Sequence, residues 1–338
     1  MLNTRYLFLL VFLMLACYTK AVAQDPIFSQ FYSSPMSVNP ALAGNGYANW
    51  RVVGNHRSQW IGEGLEPLTT SSISFDGKLF KSRNNETNYI GGGLMFLQDK
   101  GLAGAYKSTS LNLVISSHVA LDEDETNGLS VGLGGTYSNT LIDFSQLTFA
   151  QQLGSSGFNR ALPTNEGYLN NIKPYFAMFA GITYTLNYEN ASFDIGVSGY
   201  RFVKTNKSVL NDPNQFDPAR YNFHANFQTY ISERLVFNAN ALYVNESNLN
   251  SYTVGMNFGN VLDEKEIPTI LNIGLWYRGN EAIIPYFGLS FNNLQAGLTY
   301  DVPLANSNTS LNRLKTFEFS LIFRSPQRKG RTIPCPWK

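Results

Sequence analysis

The sequence predicts an all-β chain, a transmembrane antiparallel β-barrel of about fourteen strands. Three observations predict it. Apolar and polar residues alternate with period two along most of the chain: Tyr221, Phe223, Ala225, Phe227 and Ile231 share one face of a strand, while Asn222, His224, Asn226 and Gln228 share the other. The alternating runs are often about ten residues long, enough to cross a bilayer at a tilt, and aromatics gather at their ends, as in Tyr184 and Tyr188, Trp276 and Tyr277, and Tyr286 and Phe287, which suits interfacial girdles. The connections sort by parity. Even-numbered ones such as "LDEDETN", "NYEN", "ISER" and "FNN" are tight, whereas the long ones, near 141–171 and 205–219 with a moderate thirteenth, are odd. A barrel with both termini in the periplasm predicts short periplasmic turns and longer outside loops. A soluble sandwich also alternates, with its apolar face inward, but has no reason to sort its loops.

Composition agrees. The 338 residues carry a formal charge of +1, so no global charge favours nucleic acid. Charged residues make up 14% and aromatics another 14%, against roughly 25% charged in ordinary soluble domains. The chain is poor in the charge that a soluble surface needs.

The first element, residues 1–23, reads as a signal peptide. Arg5 gives a basic start, "YLFLLVFLMLAC" a short apolar core and "AVA" at 21–23 a cleavage site after Ala23. The apolar core is too short to span, and no later run is long and apolar enough for a transmembrane helix. The alternative is a lipoprotein signal acylated at Cys17, against which stand Met14 and the Ala-Val-Ala site just downstream. Residues 24–48 follow as an irregular segment with prolines at 26, 35 and 40. Strands are then expected near 49–57, 68–80, 88–98, 107–121, 126–140, 172–189, 191–204, 220–232, 234–245, 249–260, 268–279, 282–292, 293–303 and 314–324, forming one barrel domain over 49–324. Residues 325–338 are a periplasmic tail. Its Cys335 is the only cysteine left once the signal is removed, which excludes an intramolecular disulfide and a cysteine-type zinc site. It is either an inert thiol or, with Trp337, a periplasmic contact and even a mixed disulfide.

Several motifs resemble the PorP/SprF family of outer-membrane proteins: the opening "QDPIFSQFYSSPMSVNPALAG", then "RVVGNHRSQW", "FDPARYNFHANF", "NIGLWYRGNEAIIPYFGLSF", "LQAGLTYDVPLA" and the final "PCPW". The opening motif is the most specific. Leu298 and Thr299 depart from the Tyr-Ser-Tyr-Asp-like run expected there. The resemblance covers nearly all of the mature chain. It implies an outer-membrane barrel of the type IX secretion system, often tied to gliding motility. The implied partners are outer-membrane lipid, a secreted adhesin-like protein whose C-terminal domain that system handles, and other type IX components. It implies no enzyme activity and no cofactor.

The residues themselves carry no catalytic or metal site. "GGG" at 91–93 and "GLGG" at 132–135 lack the Lys-Ser/Thr and helix of a phosphate loop, and fit small residues that let another part of the chain approach a strand. Asp122 to Glu125 lacks calcium-loop spacing and reads as a solvated turn. His56, His118 and His224 are scattered, without paired-His or His-x-Glu spacing. No Gly-x-Ser-x-Gly elbow occurs.

About fourteen strands enclose more space than their side chains fill, since roughly eight make a filled barrel. The irregular segment is therefore expected to fold into the lumen and plug it, with Phe28, Phe31 and Tyr32 as anchors and Gln30, Asn39 and Pro40 facing a polar wall of Asn222, His224, Asn226 and Gln228. The bland alternative is a linker. Two functions follow: a non-enzymatic secretion partner with a closed pore, or a passive porin-like diffusion channel.

Overall fold

The computed structural model describes residues 27–46, 48–62, 66–81, 88–155, 157–165, 172–203, 218–247, 249–263, 265, 267–304 and 315–325. The signal peptide, Cys335, Trp337 and nearly all of the tail lie outside these residues, as does most of 205–219.

Fourteen strands close into one antiparallel barrel. In chain order they are β1 (Trp50–Ile61), β2 (Leu68–Lys81), β3 (Tyr89–Gly101), β4 (Tyr106–Ala120), β5 (Asn127–Ile142), β8 (Tyr175–Asn187), β9 (Ala191–Tyr200), β10 (Arg220–Ser232), β11 (Leu235–Glu246), β12 (Leu249–Val261), β13 (Ile270–Arg278), β14 (Ala282–Phe291), β15 (Leu294–Pro303) and β16 (Lys315–Arg324). Each pairs with its sequence neighbour, and β16 returns to β1 through Arg51–Arg324 to Ser58–Phe317. Closure is what hydrocarbon demands, because an open edge would leave backbone groups unpaired there. The long fifth connection holds a two-stranded hairpin, β6 (Leu153–Gly154) with β7 (Gly157–Phe158), that alternation did not signal.

The period-two faces are the two faces of the wall. Phe317, Phe319, Leu321 and Phe323 are exposed on the outside, while Glu318, Ser320 and Ile322 between them are buried in the lumen. Phe227 faces out and Gln228 in. Phe227→Arg is therefore expected to cost about 2–4 kcal/mol in a bilayer, and Gln228→Arg far less. A membrane-refolding titration checks this, and equal losses would refute the assignment of faces.

Loop length follows parity only for the longest connections. The spans 143–174, 201–219 and 304–314 are all at one end, but that end also has the tight turns 247–248 and 279–281. The opposite end carries the 121–126 turn, closed by Asp122: its carboxylate accepts from the Asn127 backbone N–H at 2.9 Å and the Asn127 amide at 2.7 Å. Those bonds hold the Asp122 carboxyl below its ordinary range.

One expectation is corrected. Trp276 and Tyr286 are not girdle residues; both point into the lumen and are almost fully buried. There they pack on Tyr32, with ring centroids 4.8 and 5.9 Å away. An interior apolar surface needs an apolar partner, and here the partner is the chain's own N-terminal segment.

Candidate functional site

The segment from Ile27 to Gly46 runs inside the barrel. Its prolines begin short helical turns rather than preventing them: Pro35 opens Pro35–Val38 and Pro40 opens Pro40–Leu42. Proline suits a first helical position, where its missing N–H has no partner to lose. Both turns are too short to stand alone, so wall contacts hold them.

Three sets of contacts do so. Near the start, the Ser29 and Gln30 backbone N–H groups donate to the two Glu318 carboxylate oxygens at 2.6 and 2.9 Å. The Gln30 amide is satisfied at both ends: its Nε2 donates to the Glu318 carbonyl at 3.2 Å and its Oε1 accepts from Ser320 at 2.6 Å. Ser29 Oγ lies 2.8 Å from Asp301 and accepts from Arg278 at 2.8 Å. Asp301 also meets Arg278 at 2.8 Å and Arg57 at 3.3 Å, and Arg57 donates to the Ile27 carbonyl. Two buried cations thus face two buried carboxylates across the segment. Such charges are tolerated inside only when paired and hydrogen-bonded.

In the middle, Asn39 bonds to the lumen face where β8 and β9 pair. Its Nδ2 donates to the Ile182 and Val197 carbonyls at 3.1 and 3.2 Å, and its Oδ1 accepts from the Ala41 N–H at 2.9 Å. The Val38 carbonyl accepts from Ser198 at 2.6 Å and from Asn222 at 2.8 Å, and the Met36 carbonyl from Tyr200 at 3.1 Å. Near the end, the Gly44 N–H donates to Asp76 at 2.6 Å, and Arg51 bridges Asp76 at 2.8 Å and the Leu42 carbonyl at 3.0 Å. The Ala43 carbonyl lies 2.7 Å from Ser116 Oγ and 2.9 Å from His118 Nε2, whose Nδ1 is 2.7 Å from Ser130. Carbonyl and hydroxyl fit one neutral tautomer, with Nε2 donating and Nδ1 accepting.

Two apolar clusters complete the packing. Phe31, Tyr32 and Val38 meet Leu242, Val244, Trp276, Ile284 and Tyr286. Met36 and Ala43 meet Met95, Val114, Phe179 and Tyr200. Phe28 and Phe31 are each 2% exposed, and full burial of such a ring is worth about 1.5–3 kcal/mol.

The glycine runs have a steric use. A Cβ on Gly132 would lie 2.3 Å from the Pro40 carbonyl carbon and 2.4 Å from the Ala41 nitrogen. Backbone cannot yield there as a flexible side-chain tip can. Gly132→Val is expected to push the segment off the wall at a cost of about 1–3 kcal/mol. Faster amide hydrogen exchange at Ala41 and Leu42 is the readout, and unchanged exchange would contradict the contact.

Of the residues singled out from the sequence, Phe28, Gln30, Phe31, Tyr32, Asn39 and Pro40 are all buried, and Asn222 bonds directly to the segment. Asn226 instead bonds to Asp194 at 2.9 Å and to Asn240 at 3.0 Å. Together with His224 and Gln228 it lines a cavity of about 50 Å³ between the wall and Phe31, Tyr32 and Val38. Sequence reasoning missed Arg57, Asp76, Arg278, Asp301 and Glu318. Their signal was present: each is a charge on the polar face of a membrane-length strand, a costly place unless a partner waits there. Above the segment, at the long-loop end, a cavity of about 220 Å³ with a mixed lining, Ser108, Thr140 and Arg220 beside Met95, Leu97 and Phe179, reaches Ser37. Among the described residues no cluster of three His, Cys, Asp or Glu side chains could hold a metal.

A family model for the type IX secretion system membrane protein PorP/SprF matches residues 21–323. No curated protein matches. Among solved structures, the chain is similar to the CymD monoaromatic hydrocarbon channel, with a TM-score of 0.51 at 8% identity over 87% of this chain and 93% of that one. It is also similar to the P. putida toluene transporter TodX, at 0.47 and 10% over 86% and 93%. At such identities the likeness concerns the barrel fold alone.

Proposed function

Since the chain belongs to the PorP/SprF family of type IX secretion membrane proteins, we propose that it is a non-enzymatic outer-membrane partner of a secreted, adhesin-like protein, which it receives or holds through that protein's C-terminal domain. Other type IX components are its further partners. Family and fold are those of a membrane secretion component. The observation that carries the reading is the filled lumen: the segment 27–46 is bonded to the wall at its start, middle and end. A barrel that serves as a partner must not leak, and such a segment is a stopper.

Two measurements test it together. Full-length protein in a planar bilayer is expected to stay closed. Cells lacking the chain are expected to make the secreted protein but lose it from their surface. A steady open conductance with normal surface display would favour a passive diffusion channel and overturn the proposal.

A further inference from the structure

We propose that the lumen wall opposite Phe31 binds a cluster of water molecules, held by Asn238, His224 and Asn240 between the barrel and its segment. The three residues come from two neighbouring strands. β10 turns His224, Asn226 and Gln228 inward, and β11 pairs with it in a register that sets Asn240 opposite Asn226 and Asn238 opposite Gln228. Side chains two apart on each strand therefore share one lumen face.

That face is polar, deeply buried and short of protein partners. Asn238 is 0% exposed, His224 3% and Asn240 6%. Among the described residues nothing bonds to the Asn238 Oδ1 or Nδ2, to either ring nitrogen of His224, or to the Asn240 Oδ1. The Asn240 Nδ2 is used on Asn226. Across the cavity the segment presents Phe31, Pro35, Val38 and Leu42, whose side chains have no polar atom to offer; Tyr32 and Asn45 also line it, and neither bonds to Asn238 or His224. Leaving buried amide and imidazole atoms unpaired costs more than immobilising a water that bridges them.

Size and chemistry select the occupant. The cavity of about 50 Å³ has room for roughly three or four waters, each needing on the order of 10–15 Å³, and a water needs 2–4 polar partners. An organic solute is too large. An anion finds no available cation, because Arg51, which reaches the cavity, is engaged by Asp76 and the Leu42 carbonyl. Asn238 offers both a donor and an acceptor, and so does a neutral His224, which suits water. Farther along β11 the wall turns apolar at Leu242 and Val244, where Phe31, Tyr32 and Val38 pack without such a gap. The segment's seat is thus dry on one side and hydrated on the other. This holds whether or not the barrel partners a secreted protein.

Hydroxyl-radical footprinting by radiolysis tests it on the full-length protein in detergent, because radicals form from bound water as well as from bulk. Phe28 and Phe31 are a matched pair: the same side chain in the same segment, each 2% exposed, with Phe31 lining the cavity and Phe28 not. Phe31 is expected to be modified several-fold faster than Phe28. Asn238→Leu, which exchanges the amide for an apolar side chain of similar size, is expected to bring Phe31 down to the Phe28 rate. Equal rates for the two rings in the unsubstituted chain would overturn the proposal, and that comparison stands even if the variant fails to fold. A folded Asn238→Leu protein in which Phe31 keeps its fast rate would overturn the assignment of the water to these side chains.

Discussion

Removing Ile27–Val38, with the chain ahead of it and Asn39 onward retained, is expected to turn a closed barrel into a conducting one. Fourteen strands enclose a lumen wider than the filled eight-stranded case, and this stretch supplies much of what occupies it: Phe28, Phe31, Tyr32, Met36 and Val38 are all buried against the wall. The strand pairings form an unbroken ring without it, so the barrel is expected to assemble. The lumen left behind is lined by Asn222, Asn238, Asn257, Asp301 and Glu318, groups that water solvates readily. Steady single-channel current in a planar bilayer is the readout, with the full-length chain silent under the same conditions. A deletion protein that inserts, runs as a folded barrel and stays silent would mean that the segment does not seal the pore.

Asp301→Ala is expected to be the most damaging single substitution. Asp301 lies 2.8 Å from Arg278, 3.3 Å from Arg57 and 2.8 Å from Ser29 Oγ, with all four residues buried in the barrel or its lumen segment. Truncating it leaves two guanidinium groups near each other with Glu318 as the remaining counter-charge. Breaking one partner out of a buried ion pair typically costs about 3–5 kcal/mol, mostly because the orphaned charge stays desolvated. Denaturant unfolding of refolded protein in detergent measures the loss. Pairing Asp301→Ala with Arg278→Leu is expected to recover part of it, since removing both charges also removes the burial penalty. A loss below about 1 kcal/mol, the range of exposed pairs, would mean that water reaches the cluster.

The strands were legible because lipid enforces one rule on every outward position, so a period of two survives along nearly the whole barrel. Where the interior is apolar, the rule blurs. On β14 the lumen-facing residues are Ala282, Ile284 and Tyr286, as greasy as the lipid-facing Ile283 and Phe287, and alternation cannot tell the faces apart. That is why Trp276 and Tyr286 resembled girdle aromatics. Their inward packing depends on Tyr32, more than two hundred residues earlier in the chain, and no local window contains that information. The same holds for the ionic cluster. Glu318 between Phe317 and Phe319 is conspicuous in the sequence, but its partners Ser29 and Gln30 are fixed only by barrel closure. Asn39 between two proline-started turns could be anticipated as a polar residue in a tight bend; its bonds to the Ile182 and Val197 carbonyls could not.

Glu318 sits on β16, the strand that completes the ring against β1, and it is also the residue that receives the Ser29 and Gln30 N–H groups. Ring closure and the seating of the segment therefore share one residue. A wall without its last strand still offers Asp301, Arg278 and Arg57 to the start of the segment, but it lacks the carboxylate that receives the Ser29 and Gln30 N–H groups. Contacts of such long sequence separation form late, after the entropy of the large loop between them has been surrendered. Completing the wall and seating the start of the segment are thus linked: the strand that closes the ring also carries the carboxylate to which the segment binds.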